Sequence, residues 1–231
     1  MSESEDIVLA SAPNEEAGPV AIELFTSQGC SSCPPADRLV SELVADPGLV
    51  IITRPVTYWD RLGWRDTLAR PENTALQRAY ANRLSRGGGR SYTPQAVVNG
   101  RVGLVGSRRG ELEQAVAEAR AERPKTSITI EENETGYRIL IDGTAESDAV
   151  VRLLALDRSE TVDIGRGENG GRSVTYTNIL RAERDIGHWT GGELAIEIGA
   201  EDLYAEGSDR YAIVVRNGSS GSILAAQYLD G

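Results

Sequence analysis

The sequence predicts an α/β domain followed by an all-β, sandwich-like domain in a chain of 231 residues. Strand-like and helix-like runs alternate through the first half, which is typical of layered α/β folds. Beyond residues 123–125, short β-like runs follow one another between Gly, Asn and Asp turns. We therefore place a leader over residues 1–18, a first domain over 19–123 and a second domain over 124–231.

The first strand and the first helix flank a pair of cysteines. The run "PVAIELFTS" is compact and apolar, and it predicts a strand from Pro19 to about Thr26. Apolar residues then recur at helical spacing and predict a helix from about Ser31 to Ala45. Pro34 and Pro35 fall in its first turn, where a missing N–H costs little. The apolar stripe consists of Ala36, Leu39, Val40, Leu43 and Val44.

The rest of the first domain continues the alternation. "LVIITRPVTYW" predicts a second strand, disturbed by Pro55. An inserted loop and helix occupy about residues 59–90, with the helix near Thr74 to Leu84. "AVVNGRVGLVG" predicts a β-hairpin that turns at Asn99-Gly100, and "ELEQAVAEARAE" predicts a further helix.

The second domain carries no long helical stripe. Runs such as "SITIEE", "YRILIDG", "AVVRLLALD" and "RYAIVVRN" are short, β-like and separated by turn residues. Several such strands in about 105 residues predict a β-sandwich.

Composition narrows the function classes. The chain has 24 basic and 35 acidic residues, a net charge of −11, which argues against nucleic acid or an anionic membrane surface as a partner. No apolar run approaches the roughly 20 residues that a membrane span needs. The leader lacks the basic and apolar regions of an export signal, so either the protein stays inside the cell or a signal was removed.

The two cysteines, Cys30 and Cys33, are the only ones in the chain and are candidates for redox chemistry. At the start of a helix, unpaired N–H groups and the helix dipole stabilise a thiolate and lower its pKa below the usual value of about 8.5. We expect Cys30 to be an accessible nucleophile and Cys33 to resolve the mixed disulfide. No cofactor is needed, because the cysteines carry the electrons.

Two other interpretations of the pair stay open. A permanent structural disulfide would close a very small loop and gain little chain entropy. Copper(I) could be held by the two thiolates alone, in a binding protein that does no catalysis. Tetrahedral zinc requires four ligands, and the remaining supply is one histidine, His188, far along the chain, so no other metal site is predicted.

Taken together, a strand, the Cys30–Cys33 motif opening a helix, and a later Tyr92-Thr93-Pro94 before an apolar strand resemble the thioredoxin fold over about residues 19–122. In that superfamily the proline is cis and packs against the cysteine pair, and the preceding residue's backbone pairs with the substrate. The resemblance assigns these roles to Pro94 and Thr93. It implies thiol–disulfide exchange with protein or peptide partners.

Three further residues are candidates for tuning the pair or binding a partner. Thioredoxins carry a buried acid before the motif as a proton acceptor, and Glu23 is the nearest candidate, although a solvent-facing position is equally compatible with the sequence. Trp59 belongs to an aromatic loop that could dock an extended partner or simply pack in the core. Asp60, beside it, could tune the site or only shape the loop through Arg61 or Arg65.

More narrowly, four long segments are similar to a bacterial family of predicted exported proteins known as domain of unknown function 1223. They are "ELFTSQGCSSCPPAD", "YWDRLGWRD", "YTPQAVVNG" and "GENGGRSVTYTNILR". The resemblance implies a thioredoxin-like domain, a β-rich second domain and a periplasmic or secreted location. A cytoplasmic location is the alternative, where a reductant would be the more natural role.

Overall fold

The computed structural model describes residues 18–84, 89–145, 147–203 and 205–229. The predicted leader therefore lies outside the described residues except for Gly18, as do residues 85–88 of the predicted insertion. The described chain is a mixed α/β structure with one large sheet, one small sheet and few helices. The helices are α1 (Pro34–Leu43), α2 (Pro71–Leu84) and α3 (Arg109–Ala121), with short 3-10 helices at Thr57–Leu62 and Ala200–Asp202.

The large sheet has eight strands in the order β11-β10-β7-β8-β2-β1-β3-β4, and the small sheet has three in the order β5-β6-β9. The strands are β1 (Val20–Thr26), β2 (Leu49–Pro55), β3 (Gln95–Val98), β4 (Val102–Val105), β5 (Thr126–Asn133), β6 (Gly136–Gly143), β7 (Ala149–Ile164), β8 (Arg172–Trp189), β9 (Leu194–Gly199), β10 (Arg210–Asn217) and β11 (Ile223–Tyr228).

The first four strands form a compact layer with the helices on its two faces. β1 and β2 are parallel, whereas β3 runs antiparallel to β1, and β4 runs antiparallel to β3. Alternate residues of β1, such as Ile22 and Leu24, pack against α1 and α3, while Phe25 packs against α2 on the opposite face. The predicted hairpin turn at Asn99-Gly100 is confirmed, and both residues have positive φ.

Within the large sheet, the two halves of the chain meet at a seam where β2 lies beside β8. β2 and β8 pair through a single register position, Thr53 with Ile179. Further along β2, the Tyr228 hydroxyl accepts a hydrogen bond from the Ile51 N–H at 2.8 Å and donates one to the Ile51 carbonyl at 3.1 Å. A side chain thus supplies the hydrogen bonds that a neighbouring strand would otherwise make.

The large sheet folds back on itself beyond this seam. Apolar residues of β7, β10 and β11 share one core with Ala21, Val50 and Ile52 of the first half. The other face of β7 and β10 packs against the small sheet, so both faces of these strands are buried. This explains their continuous apolar runs. The predicted division between residues 123 and 124 stays a prediction, because the large sheet is shared by both halves.

A buried charge network also joins the halves. Arg54 on β2 donates from Nε to Glu23 Oε1 at 2.7 Å, and Arg216 on β10 donates from Nη2 to the same oxygen at 2.8 Å. Tyr80 of α2 donates to the other Glu23 oxygen and accepts a hydrogen bond from Arg216. Arg54 also donates to Glu183 of β8 at 3.0 Å, so two cations face two carboxylates in the core.

The network keeps Glu23 charged. Burial by itself would raise the pKa of Glu23, but the charges of Arg216 and Arg54 and the hydrogen bond from Tyr80 lower it to about 2, from 4.5. The folded carboxylate therefore stabilises the protein above pH 4.5, and this contribution is lost as the pH falls towards 2.

No helix in the described ranges combines the length and apolar character that crossing a bilayer requires.

We predict that Arg216→Met lowers the free energy of unfolding by about 3 to 5 kcal/mol, because it removes one partner of a fully buried carboxylate. Urea unfolding at pH 7 measures this. The matched control is Arg184→Met, which breaks an exposed ion pair with Asp202 and should cost less than about 1 kcal/mol. Equal effects of the two substitutions would contradict the role given to the buried network.

Candidate functional site

The two cysteines lie just beyond the carboxyl end of β1 and are joined in a disulfide. The chain turns tightly there: the Cys30 N–H donates to the Ser27 carbonyl and the Cys33 N–H donates to the Cys30 carbonyl, each at 3.1 Å. Helix α1 begins at Pro34, with Cys33 as its N-cap residue. The cysteine pair thus spans the turn that leads into the helix.

Two expectations about Cys30 are wrong. The sequence predicts that the helix starts near Ser31, but Pro34 and Pro35 occupy its first positions, where proline is most easily accommodated. The helix N-terminus therefore lies next to Cys33 rather than Cys30. Cys30 was also expected to be accessible, yet both cysteines are 0% exposed in the disulfide form.

The motif contacts the loop that contains Thr93 and Pro94. The Thr93-Pro94 peptide bond is cis, and Pro94 is buried. The Ser32 hydroxyl lies 3.3 Å from Cys30 Sγ and donates to the Thr93 carbonyl at 3.4 Å. The structure thus brings the Thr93-Pro94 loop, with the cis bond that the family resemblance implies, up to Ser32 between the two cysteines.

The aromatic loop packs beside the motif. Trp59 is half-buried and donates from Nε1 to the Thr93 hydroxyl at 2.9 Å, and its Cβ lies close to Gly29. Asp60 accepts a hydrogen bond from the Asp66 N–H at 3.2 Å, and Asp66 in turn accepts from the Gln28 N–H at 2.8 Å. Trp59 is therefore part of the site, whereas the contact that Asp60 makes is one that shapes the loop.

Glu23 is not suited to the proton-transfer role that the sequence allowed. It is fully buried, as such a role requires, but the two arginines keep its carboxylate ionised with a pKa of about 2. A carboxylate held so far below neutral pH is a poor acceptor for a thiol proton. Its contacts make it part of the core network instead.

Asp37 is the acidic residue that the sequence interpretation missed. It lies in the first turn of α1, four residues after Cys33, so it shares a helix face with that cysteine. Its side chain is 1% exposed, and neither carboxyl oxygen has a hydrogen-bond partner among the described residues. The signal was present in "CPPAD", because this spacing places an aspartate beside the apolar stripe of the helix.

The environment of Asp37 favours its neutral form. Burial raises the pKa of Asp37 to about 7 from 3.8, the nearby Thr26 hydroxyl opposes this rise in part, and the Asp66 carboxyl adds to it. Burial likewise raises the pKa of Asp66, partly offset by the N–H groups of Gln28 and Leu68. Asp37 can therefore take up or release a proton near neutral pH without leaving the core.

A hairpin from the second half covers the motif. Asn169, between β7 and β8, donates from Nδ2 to the carbonyls of Gln28 and Cys30, both at 2.9 Å. The neighbouring Glu168 accepts a hydrogen bond from the Ser31 N–H at 3.2 Å. The sequence predicted only a glycine-rich connection here, because contacts across about 140 residues leave no local pattern.

The described residues contain no group of three or more His, Cys, Asp or Glu side chains that could hold a metal ion. The copper(I) interpretation needs only the two thiolates, which are joined in the disulfide here, and it stays a hypothesis.

Two solved structures resemble this chain. Protein AGR_C_4864 from Agrobacterium tumefaciens is 29% identical with a TM-score of 0.78, and the match covers 94% of this chain and 96% of that chain. HBP35 of Porphyromonas gingivalis is 11% identical with a TM-score of 0.58, covering 92% of this chain and 74% of that one, so this likeness shows the fold alone. No curated protein sequence matches this chain.

The family model described as "Protein of unknown function (DUF1223)" matches residues 21–216. The matched range includes the cysteine pair, the cis proline loop and the covering hairpin. The chain therefore belongs to the DUF1223 family.

Proposed function

We propose that this protein carries out thiol–disulfide exchange on protein or peptide partners through Cys30 and Cys33. The observation that carries the proposal is Asp37, a buried carboxyl group without a hydrogen-bond partner among the described residues, one helical turn from Cys33. A buried, unpaired acid costs stability, and a purely structural disulfide has no use for it. A redox pair can use such an acid as a proton donor and acceptor, because its thiols gain and lose protons.

The topology supports the same function. The strand order β2-β1-β3-β4, the cysteine pair between β1 and α1, and the cis Thr93-Pro94 bond before β3 together favour a thioredoxin-like first half, over about residues 19–123. In this interpretation the strands after residue 124 form the second, sandwich-like part. They also supply the hairpin that covers the motif.

The exchange balances as follows. A partner thiolate attacks Cys30 Sγ, a new sulfur–sulfur bond forms, the Cys30–Cys33 bond breaks, and Cys33 leaves as a thiolate. Neutral Asp37 supplies the proton that Cys33 takes up. A second partner thiolate then displaces Cys30 from the mixed disulfide, so the partner leaves with a disulfide and the cysteine pair is reduced. In the reverse direction the Cys30 thiolate attacks a partner disulfide, ionised Asp37 accepts the Cys33 proton, and the Cys33 thiolate displaces the partner from Cys30, so the partner leaves reduced and the pair regains its disulfide. The two electrons move between the partner and the cysteine pair, so no cofactor is required.

One observation favours a second candidate. Both cysteines are fully buried in the disulfide form, which suits an interaction protein whose disulfide is structural. The two functions differ in reduction potential, because structural disulfides typically lie below about −300 mV. The family resemblance favours a periplasmic or secreted setting for either function, in which an oxidant or isomerase would be the natural redox role.

We predict that reduced Cys33→Ser protein accumulates a stable mixed disulfide through Cys30 when mixed with insulin, whereas Cys30→Ser does not. The resolving thiolate is missing in the first variant and the attacking one in the second. Mass spectrometry after acid quenching and alkylation counts the adducts. No adduct with either variant, together with a wild-type potential below about −300 mV, would refute exchange and favour the structural disulfide.

We predict that Asp37→Asn raises the free energy of unfolding by about 1 to 4 kcal/mol at pH 8 and leaves it unchanged at pH 3.5. The folded pKa of about 7 exceeds the unfolded value of 3.8, so the stabilising contribution is complete below pH 3.8 and is lost as the pH rises through 7. Asparagine does not titrate. Urea unfolding across this pH range measures the difference.

The control for this experiment is Asp142→Asn, because Asp142 is exposed and lies on β6 of the small sheet rather than on β1 or α1. It should leave the pH dependence of stability unchanged. A pH profile of insulin reduction provides the functional readout: the inflection near pH 7 in the wild type should disappear in Asp37→Asn. If both the stability slope and the inflection persist, Asp37 does not handle the proton.

A further inference from the structure

The hairpin of β7 and β8 extends beyond the sheet as a two-stranded arm. β10 pairs with β7 only from Ala149 to Leu156, and β8 pairs with β2 only at Ile179. Residues 159–164 and 172–177 pair with each other and with no other described strand. A two-stranded ribbon is at best marginally stable by itself, so the arm (residues 159–177) depends on what it packs against.

The apolar support of the arm comes from the loop beside the motif. Ile164 and Val174 of the arm share a small buried cluster with Leu68, and Trp64 packs at its margin. Trp64 also lies against Gly165, where an added Cβ would meet the indole ring at 3.0 Å. This contact brings the arm tip (residues 165–171) down onto the turn before the cysteines.

The arm tip occupies main-chain groups of the motif itself. Asn169, which is 1% exposed, bonds to the carbonyls of Gln28 and Cys30, and Arg172 donates to its Oδ1 at 3.1 Å, which fixes the orientation of the amide. Glu168 takes the Ser31 N–H. One donor and two acceptors of the turn are therefore bound to side chains of the tip. They are the kinds of group that an extended polypeptide pairs with.

We propose that the arm tip is a displaceable cap that occupies main-chain groups of the cysteine turn and must withdraw before a thiolate can reach Cys30. The proposal rests on the proposed function and names its regulation. It accounts for a reactive pair whose sulfurs are fully covered in the disulfide form. A partner chain that displaces the tip can take over the N–H of Ser31 and the carbonyls of Gln28 and Cys30.

Access to the disulfide can be measured with dithiothreitol as the probe. Its thiolate attacks Cys30 Sγ, Cys33 leaves, and the second thiol of the reagent then displaces Cys30, so two electrons pass to the protein. We expect Asn169→Ala to raise the reduction rate constant at least about tenfold, because it removes two hydrogen bonds that close the cap. Glu168→Ala should raise it by a smaller factor.

The control is Thr161→Ala on the same arm, where Thr161 contacts Thr175 across the ribbon and not the motif. It should reduce at the wild-type rate. Equal rate constants for all four proteins would overturn the proposal.

Two readouts keep this test separate from the proposed function. Unfolding midpoints show whether Asn169→Ala is folded, and if it is not, the exposed Glu168→Ala variant carries the test. Reduction by dithiothreitol reports access to sulfur and needs no catalysis. Faster reduction of Asn169→Ala, with no insulin adduct and a wild-type potential below about −300 mV, would refute exchange but keep the cap. Insulin adducts with unchanged dithiothreitol rates would refute the cap alone.

Discussion

The carboxylate of Glu23 is the constraint on which the rest of the structure depends. It is fully buried and is bound by one arginine from each half of the chain, so the buried Arg216 of the second half takes its carboxylate partner from the first. An unpaired charge in that position would cost several kcal/mol, which commits β10 to a fixed place over β1 and β2. The seam at Thr53 and the Tyr228 hydroxyl are then held in register by the same packing.

Much of the first half could be predicted from the sequence, because its signals are local. The apolar run of β1, the Asn99-Gly100 turn and the apolar face of α3 each lie within a few neighbouring residues. The start of α1 could not be placed from periodicity, since the prolines that set it lie outside the apolar stripe. The sequence could not show whether the Glu23 side chain points into the core or to solvent. That depends on strand register, which a single charged residue between Ile22 and Leu24 does not reveal.

The candidate site divides in the same way. Cys30, Cys33, Thr93 and Pro94 were found because short motifs carry them. Asp37 could have been found from its helical spacing to Cys33, but the burial that raises the pKa of its carboxyl group to about 7 comes from the folded core. Asn169 lies 139 residues from Cys30, and a contact of that kind is set by tertiary structure alone.

That separation along the chain has a consequence for biogenesis. Asn169 is translated long after the cysteines, so the pair emerges before the hydrogen bonds from the arm tip can form. With the arm tip acting as the proposed cap, oxidation of the pair by an external catalyst would be easiest in that interval.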